Sequence, residues 1–135
     1  MAPESILIVD DDEAIRSLLA RVCRQEGYQV TVAGTTAEAI DHIDSQQLDV
    51  AVIDLRLPDG SGLKVLERAK AVHKDSEAIM LTGYGDLETA AESLRLGAYD
   101  YLQKEPFSLR LLPLMIGRAI ERQRLHRSNR QLISD

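Results

Sequence analysis

The chain has 135 residues, 44% of them apolar, with 16 Lys+Arg against 22 Asp+Glu and a formal charge of -6. That length suits one compact domain with a core of its own, and the balance excludes disordered, collagen-like and disulfide-dense classes. The charge is divided unevenly: residues 1–105 carry 20 acidic and 10 basic side chains, a net of -10, and residues 106–135 carry six arginines against Glu121 and Asp135, a net of +4. The acidic part speaks against a nucleic-acid surface, because phosphate binding needs clustered cations. Cys23 is the single cysteine, cannot form an internal disulfide, and reads as a small core residue. With no basic stretch followed by an apolar run at its start, the sequence is not expected to open on a signal peptide, and its most apolar stretch, residues 109–117, is interrupted by Arg110 and Pro113 and too short for a membrane span. The expected setting is cytoplasmic and reducing.

Five short apolar runs alternate with helix-like segments. The first run, Ile6-Leu7-Ile8-Val9, is apolar on both faces, as a buried parallel strand requires. A helix follows, with Ile15, Leu18, Leu19 and Val22 at helical spacing and Gly27 as its C-terminal cap. After Val30-Thr31-Val32-Ala33, the segment Thr35-Thr36-Ala37-Glu38 reads as a capping box opening a helix with Ile40 and Ile43. Val50-Ala51-Val52-Ile53 is the third strand, and Val65, Leu66, Ala69 and Val72 mark the third helix. Ala78-Ile79-Met80-Leu81 is the fourth strand. Asp86 then caps a helix whose inner stripe is Leu87, Ala90, Ala91 and Leu94, stopped by Gly97. Tyr99-Asp100-Tyr101-Leu102 alternates, which predicts an edge strand. The fifth helix starts near Ser108, with Pro113 requiring a kink or a later start. Beyond Glu121 apolar residues thin out, and Leu125, Asn129 and Leu132 give one turn of a coiled-coil seam. Such strand–helix alternation predicts a parallel sheet covered on both faces.

Ligands of open parallel sheets bind beyond the carboxyl ends of the strands. Here those ends deliver Asp10-Asp11-Asp12, Asp54, Thr82-Gly83 and Lys104 to one rim. Clustered carboxylates raise each other's pKa, and a divalent cation resolves the repulsion. Carboxylates with a backbone carbonyl and water suit Mg²⁺ or Mn²⁺; zinc would want His and Cys, and none of His42, His73 and His126 lies at a strand end. A carboxylate beside a metal can attack a phosphoryl group, with Lys104 and Thr82 contacting its oxygens. No GxxxxGK[ST] or GxGxxG supports nucleotide binding.

Four segments carry a family resemblance: Ile6-Leu7-Ile8-Val9-Asp10-Asp11, Asp54-Leu55-Arg56-Leu57-Pro58-Asp59-Gly60-Ser61-Gly62, Leu81-Thr82-Gly83-Tyr84-Gly85-Asp86, and Gly97-Ala98-Tyr99-Asp100-Tyr101-Leu102-Gln103-Lys104. Over residues 5 to about 121 the chain resembles the receiver domain of two-component response regulators. The resemblance implies a flavodoxin-like (βα)5 doubly wound sheet of strand order 2-1-3-4-5, with an extended C-terminal helix. It implies that Asp54 accepts a phosphoryl group from a histidine kinase or phosphotransfer protein, assisted by Thr82 and Lys104. It also implies Mg²⁺ held by Asp11, Asp54 and the backbone carbonyl of Arg56, with Asp10 acting through water. Thr82 and Tyr101 match the family's switch pair, and the open Gly83 leaves room for the phosphoryl group. Residues 1–120 then form the receiver domain and residues 121–135 a helical linker towards an output domain, with a homodimer through the tail or the fourth strand–helix face. A DNA-binding tail is disfavoured, since arginines 118, 122, 124, 127 and 130 form no tidy stripe.

One departure stands out. The family places proline directly after this lysine, whereas here Glu105 intervenes in Lys104-Glu105-Pro106. Either Glu105 bulges out and Lys104 keeps its place, or the loop is rebuilt with any cis bond moved to Glu105-Pro106. Two other functions compete with a signalling module that turns over no external substrate. A haloacid-dehalogenase-like phosphatase would use the Asp-x-Asp of residues 10–12 but leaves Asp54 without a role; a pseudo-receiver interaction module is encouraged only by Glu105. Bland readings also exist: Asp12 and Glu13 as a helix start, Tyr101 as a packed aromatic, and Asp59-Gly60 and Ser61-Gly62 as turn chemistry.

Overall fold

The computed structural model describes residues 2–134. β1 (Ser5–Val9) and β3 (Val50–Asp54) lie side by side in the middle of a five-stranded sheet, with β2 (Gln29–Ala33) outside β1. On the other side of β3 come β6 (Glu77–Thr82) and then β7 (Asp100–Gln103), so the order is β2-β1-β3-β6-β7, all parallel. The two remaining strands, β4 (Arg56–Leu57) and β5 (Gly60–Ser61), form a separate two-residue hairpin directly after β3. Counting the five sheet strands alone, the predicted order 2-1-3-4-5 is the observed one.

Period-two side chains divide the core. Leu7, Val9, Ala51, Ile53 and Met80 face one layer, made by α2 (Thr36–Ser45), α3 (Gly62–Val72) and α4 (Leu87–Arg95). Ile6, Ile8, Val50, Val52, Ile79 and Leu81 face the other, made by α1 (Glu13–Gln25) and α6 (Leu112–Ser134). Every residue of β3 is buried, which explains its β-branched, two-faced character. β7 pairs only with β6 and is the edge strand expected, beginning one residue later than the apolar run, with the Tyr99 N–H donating to Ala78 O at 2.7 Å just before it.

The helices keep their predicted positions but not all their predicted faces. Cys23 and Leu19 are buried, whereas Leu18 and Val72 are largely exposed. The largest departure is α4: Ala90 is buried as expected, but Leu87 and Leu94 are exposed and Ser93 joins Ala90 against the sheet instead. Small residues let this short helix approach closely, and the Ser93 hydroxyl satisfies itself on Ala90 O at 2.6 Å. Asp86 sits at the N-cap position but makes no cap hydrogen bond, its carboxylate being engaged elsewhere. Gly27 and Gly97 end α1 and α4 with φ of 91° and 104°, a left-handed conformation that glycine adopts without strain.

The fifth helical region is two helices. The short α5 (Pro106–Leu109) is followed by a turn, and α6 begins so that Pro113 is its second residue, where a missing N–H costs nothing. α6 then runs unbroken across residues 120 and 121. Gln123, beyond that point, is buried, and its side-chain amide donates to Asp49 Oδ1 at 3.1 Å. Leu132, the last residue of the predicted seam, lies outside the residues whose side chains are described, as does Asp135.

Candidate functional site

The chain leaves β1 towards β2 on one side and returns to β3 on the other, so the carboxyl ends of β1 and β3 border the crevice where the sheet reverses direction. Asp10 follows β1 and Asp54 ends β3, and both are nearly inaccessible, at 0% and 4% exposure. Asp11 is exposed beside them. One carboxylate oxygen from each of Asp10, Asp11 and Asp54 falls within 4.8 Å of the others.

Lys104, just past β7, reaches across this group. Its Nζ is 2.9 Å from Asp54 Oδ2 and 3.2 Å from Asp10 Oδ1, and its backbone N–H donates to Thr82 O at 2.8 Å. The extra Glu105 is absorbed locally. Its N–H folds back to Gln103 O at 2.8 Å, its side chain points out to accept from the Ser108 hydroxyl at 2.9 Å, and no described residue has a cis peptide. The insertion is thus bulged outward, and Lys104 stands at the carboxylates.

Burial pushes the Asp54 carboxyl above its ordinary pKa despite hydrogen bonds from Lys104 and from the Arg56 N–H at 3.2 Å. For Lys104 burial acts downward, but the hydrogen bonds to Asp54 and Asp10 outweigh it and raise its pKa. The pair is therefore lopsided: the more deeply buried carboxylate is left short of compensation. Asp10 tells the same story atom by atom. Its Oδ1 accepts the Asp12 N–H at 2.9 Å, whereas its buried Oδ2 accepts no well-directed hydrogen bond, although Lys104 Nζ is 3.1 Å away. A buried, under-satisfied carboxylate oxygen in a three-carboxylate cluster fits a hard divalent cation better than it fits one ammonium.

Thr82 ends β6, is buried, and donates its hydroxyl to Leu102 O at 3.3 Å. Tyr101 is half-buried on β7, packed against the α2–α3–α4 layer. An open depression of about 380 Å³ lies over Asp54, bordered by Asp11, Gly83, Tyr84 and Lys104. Asp12 is occupied elsewhere: its Oδ1 accepts the N–H groups of Ala14 and Ile15 at the start of α1. This is its helix-start reading, and it removes the second carboxylate that an Asp-x-Asp phosphatase would need.

Three features of the site escape sequence inspection. Arg56 Nε and Nη2 donate to Asp86 Oδ1 at 2.9 and 2.6 Å, and Asp86 Oδ2 accepts the Gly83 N–H at 3.0 Å, so one carboxylate ties two strand-end loops together. Arg16 Nη1 fixes the Asp10 carbonyl at 2.9 Å. At Gly62 an added Cβ would stand 2.2 Å from Asp54 O, so only glycine lets α3 start this close to the Asp54 backbone. No local pattern signals the first two; Gly62, immediately before an apolar run, is the nearest to a hint.

The family model for the response regulator receiver domain matches residues 6–116. The chain belongs to the response regulator receiver domain family. This receiver domain is 44% identical over 119 residues to the acid tolerance regulatory protein ActR of Rhizobium meliloti, an alignment covering 88% of the chain and 61% of that relative. Among solved structures it is similar to a CheY-like receiver domain protein from Methanospirillum hungatei (34% identity, TM-score 0.82, 91% and 98% covered) and to NtrX from Brucella abortus in complex with ADP (34% identity, TM-score 0.88, 98% and 30% covered). The chain therefore spans about three fifths of ActR and under a third of NtrX. Among the described residues, no helix of the receiver domain is long and apolar enough to cross a membrane.

Proposed function

We propose that Asp54 is the phosphoacceptor of this receiver domain, taking a phosphoryl group from a phosphohistidine on a histidine kinase or phosphotransfer protein. The observation that carries the reading is the under-compensated carboxylate of Asp54 at the sheet's switch crevice, facing open space and held by Lys104 at 2.9 Å. An Asp54 carboxylate oxygen forms the new O–P bond while the N–P bond breaks, and the imidazole leaves with the electron pair. Lys104 already touches Asp54 and holds positive charge where the equatorial oxygens gather it. Asp11, Asp54 and the Arg56 carbonyl would hold Mg²⁺ (or Mn²⁺), with Asp10 acting through water; the cation supplies charge neutralisation at the transferring group.

Phosphorylation then acts by population shift. The Thr82 hydroxyl, bonded to Leu102 O, gains a competing acceptor in the phosphoryl oxygens, and Tyr101 on the adjacent strand moves inward behind it. The receiver domain turns over no external substrate and works in the cytoplasm, passing its state to an effector domain joined through α6. Glu105, the feature that favoured a pseudo-receiver, points away from the carboxylates towards Ser108 and leaves them intact.

The test is incubation with acetyl phosphate and Mg²⁺. We expect one hydroxylamine-labile phosphate per chain, absent in Asp54→Asn and without Mg²⁺. An unlabelled wild type, or equal labelling of Asp54→Asn, would reject the proposal. Sustained phosphomonoester hydrolysis that survives Asp54→Asn and is lost with Asp10→Asn would point to the phosphatase instead.

A further inference from the structure

Asp86 stands where α4 should be capped, and it caps nothing. Before α1, α2 and α3 the cap residue has extended backbone, with ψ of 108°, 164° and 141°, and its side chain accepts first-turn N–H groups. At Asp86 ψ is 20° and no such bond forms. Its side chain is only 7% exposed, so the carboxylate needs compensation. It takes this from Arg56 Nε and Nη2, at 2.9 and 2.6 Å, and from the Gly83 N–H at 3.0 Å. The charged partner is loosely held: the Arg56 side chain is 76% exposed. Among the described residues its guanidinium bonds no acceptor except Asp86 Oδ1.

Both partners of this bridge border the depression over Asp54. The Arg56 N–H donates to Asp54 Oδ1 at 3.2 Å, so the guanidinium is rooted two residues from that carboxylate. A phosphoryl group on Asp54 would bring roughly two negative charges and new acceptor oxygens into the same depression. Guanidinium binds carboxylate and phosphate with the same two-pronged geometry, so the two anions compete for one cation. The carboxylate left behind has a destination. The N–H groups of Glu88 and Thr89, in the first turn of α4, receive no side-chain cap. They lie where the helix dipole favours an anion. Each half of the exchange therefore replaces the bond it breaks.

We propose that Asp86 is an internal stand-in for the phosphoryl group: it occupies the Arg56 guanidinium until Asp54 is phosphorylated, then exchanges it for the first-turn N–H groups of α4. Arg56 thereby becomes a ligand of the phosphoryl oxygens, and Asp86 is a positioning residue that acts through it. The inference rests on Asp54 being the phosphoacceptor. The probe is beryllofluoride with Mg²⁺, a stable phosphoryl mimic that binds carboxylates, and its affinity is read by fluorine NMR. Arg56→Met should weaken binding about tenfold, the loss of a charge-assisted contact. Asp86→Asn keeps the shape and can still accept the Gly83 N–H, and by releasing Arg56 it should tighten binding about threefold. Combined with Arg56→Met, Asp86→Asn should add nothing, because the competition then has no object. A second readout needs no change in affinity. The Arg56 Nε–H signal, assigned by its loss in Arg56→Met, should differ between wild type and Asp86→Asn without the probe and converge once beryllofluoride is bound. A wild type that binds no beryllofluoride would overturn the Asp54 reading and this inference together. With wild-type binding intact, four results would overturn this inference alone: undiminished affinity in Arg56→Met, affinity in Asp86→Asn no tighter than wild type, a gain that survives Arg56→Met, or Arg56 signals that stay apart in the bound state.

Discussion

Lys104 is bound to two carboxylates that both need it. Asp10 and Asp54 are buried, and in the absence of a cation its ammonium is their chief compensation. Replacing it by alanine leaves two acids in a low-dielectric site, and because Lys104 is itself partly solvated we expect a loss of about 1–3 kcal/mol, smaller than for a wholly buried pair. Urea denaturation of Lys104→Ala should show this loss in EDTA and a much smaller one in excess Mg²⁺, since a ligand that binds only the folded state restores stability. Asp54→Asn should behave oppositely. Its folded pKa is raised by burial, so the stabilising contribution is present below the unfolded value near ~4 and disappears as pH rises through the folded value. At neutral pH the ionised group therefore costs stability, and the Asn variant should melt higher than wild type in EDTA. Cys23 offers a simpler check. Burial pushes its thiol up to about 11, so a thiol reagent at pH 8 should label it only after denaturation. Asp10, Asp54 and Lys104 could be read from sequence because each closes a recognisable strand. The Arg56–Asp86 bridge could not, because 30 residues separate its partners and neither lies in a periodic pattern.

At the level of elements, α2 is capped twice. Thr35 accepts the Glu38 N–H at 3.1 Å, as the sequence predicts, though Glu38 returns to the Thr35 hydroxyl and not to its backbone. Asp59, 23 residues away, accepts the N–H groups of Thr36 and Ala37 at 2.8 and 3.1 Å. Those bonds lower the Asp59 carboxyl to about 2. A depressed folded pKa stabilises above the unfolded value near ~4 and is lost as pH falls towards 2. Asp59→Ala should therefore melt lower than wild type at pH 7, and the difference should close between about pH 4 and pH 2 in thermal melts. Sequence showed Asp59-Gly60 only as turn chemistry, because a cap donated from a distant loop has no local signature. The rotated face of α4, which keeps the expected Ala90 inside but replaces the leucines by Ser93, has a related cause. Helical periodicity marks any apolar residue as inward, but close packing against β6 selects the small side chains Ala90 and Ser93 and leaves Leu87 and Leu94 outside.

Across the whole molecule, the -10 body and the +4 tail prove to be two sides of one contact. Four of the five arginines that form no tidy stripe in sequence, all but Arg118, reach the edge of the sheet opposite the carboxylate site. Arg124 pairs with Glu4, Arg127 with Asp49 and Asp75, Arg130 with Asp75, and Arg122 with Glu77 at 3.0 Å. Glu77 is the exceptional member, 1% exposed, with Lys70 3.5 Å from its other oxygen. Its Oε2 accepts no well-directed hydrogen bond, so Arg122 compensates it by charge more than by geometry. Glu77 opens β6 and Thr82 closes it, so the C-terminal helix grips the same strand that delivers the Thr82 hydroxyl to the carboxylate site. Arg122→Met should cost about 1–3 kcal/mol, because a buried carboxylate keeps only Lys70, while the exposed Arg124→Met should cost at most about 1 kcal/mol. Adding Glu77→Gln to Arg122→Met should recover most of the loss. A double-mutant cycle measured by urea denaturation at low and at ~1 M salt separates the two kinds of pair. The Arg122–Glu77 coupling should persist in salt and the Arg124–Glu4 coupling should vanish. Equal salt sensitivity would mean that the helix is held by its apolar inner face alone.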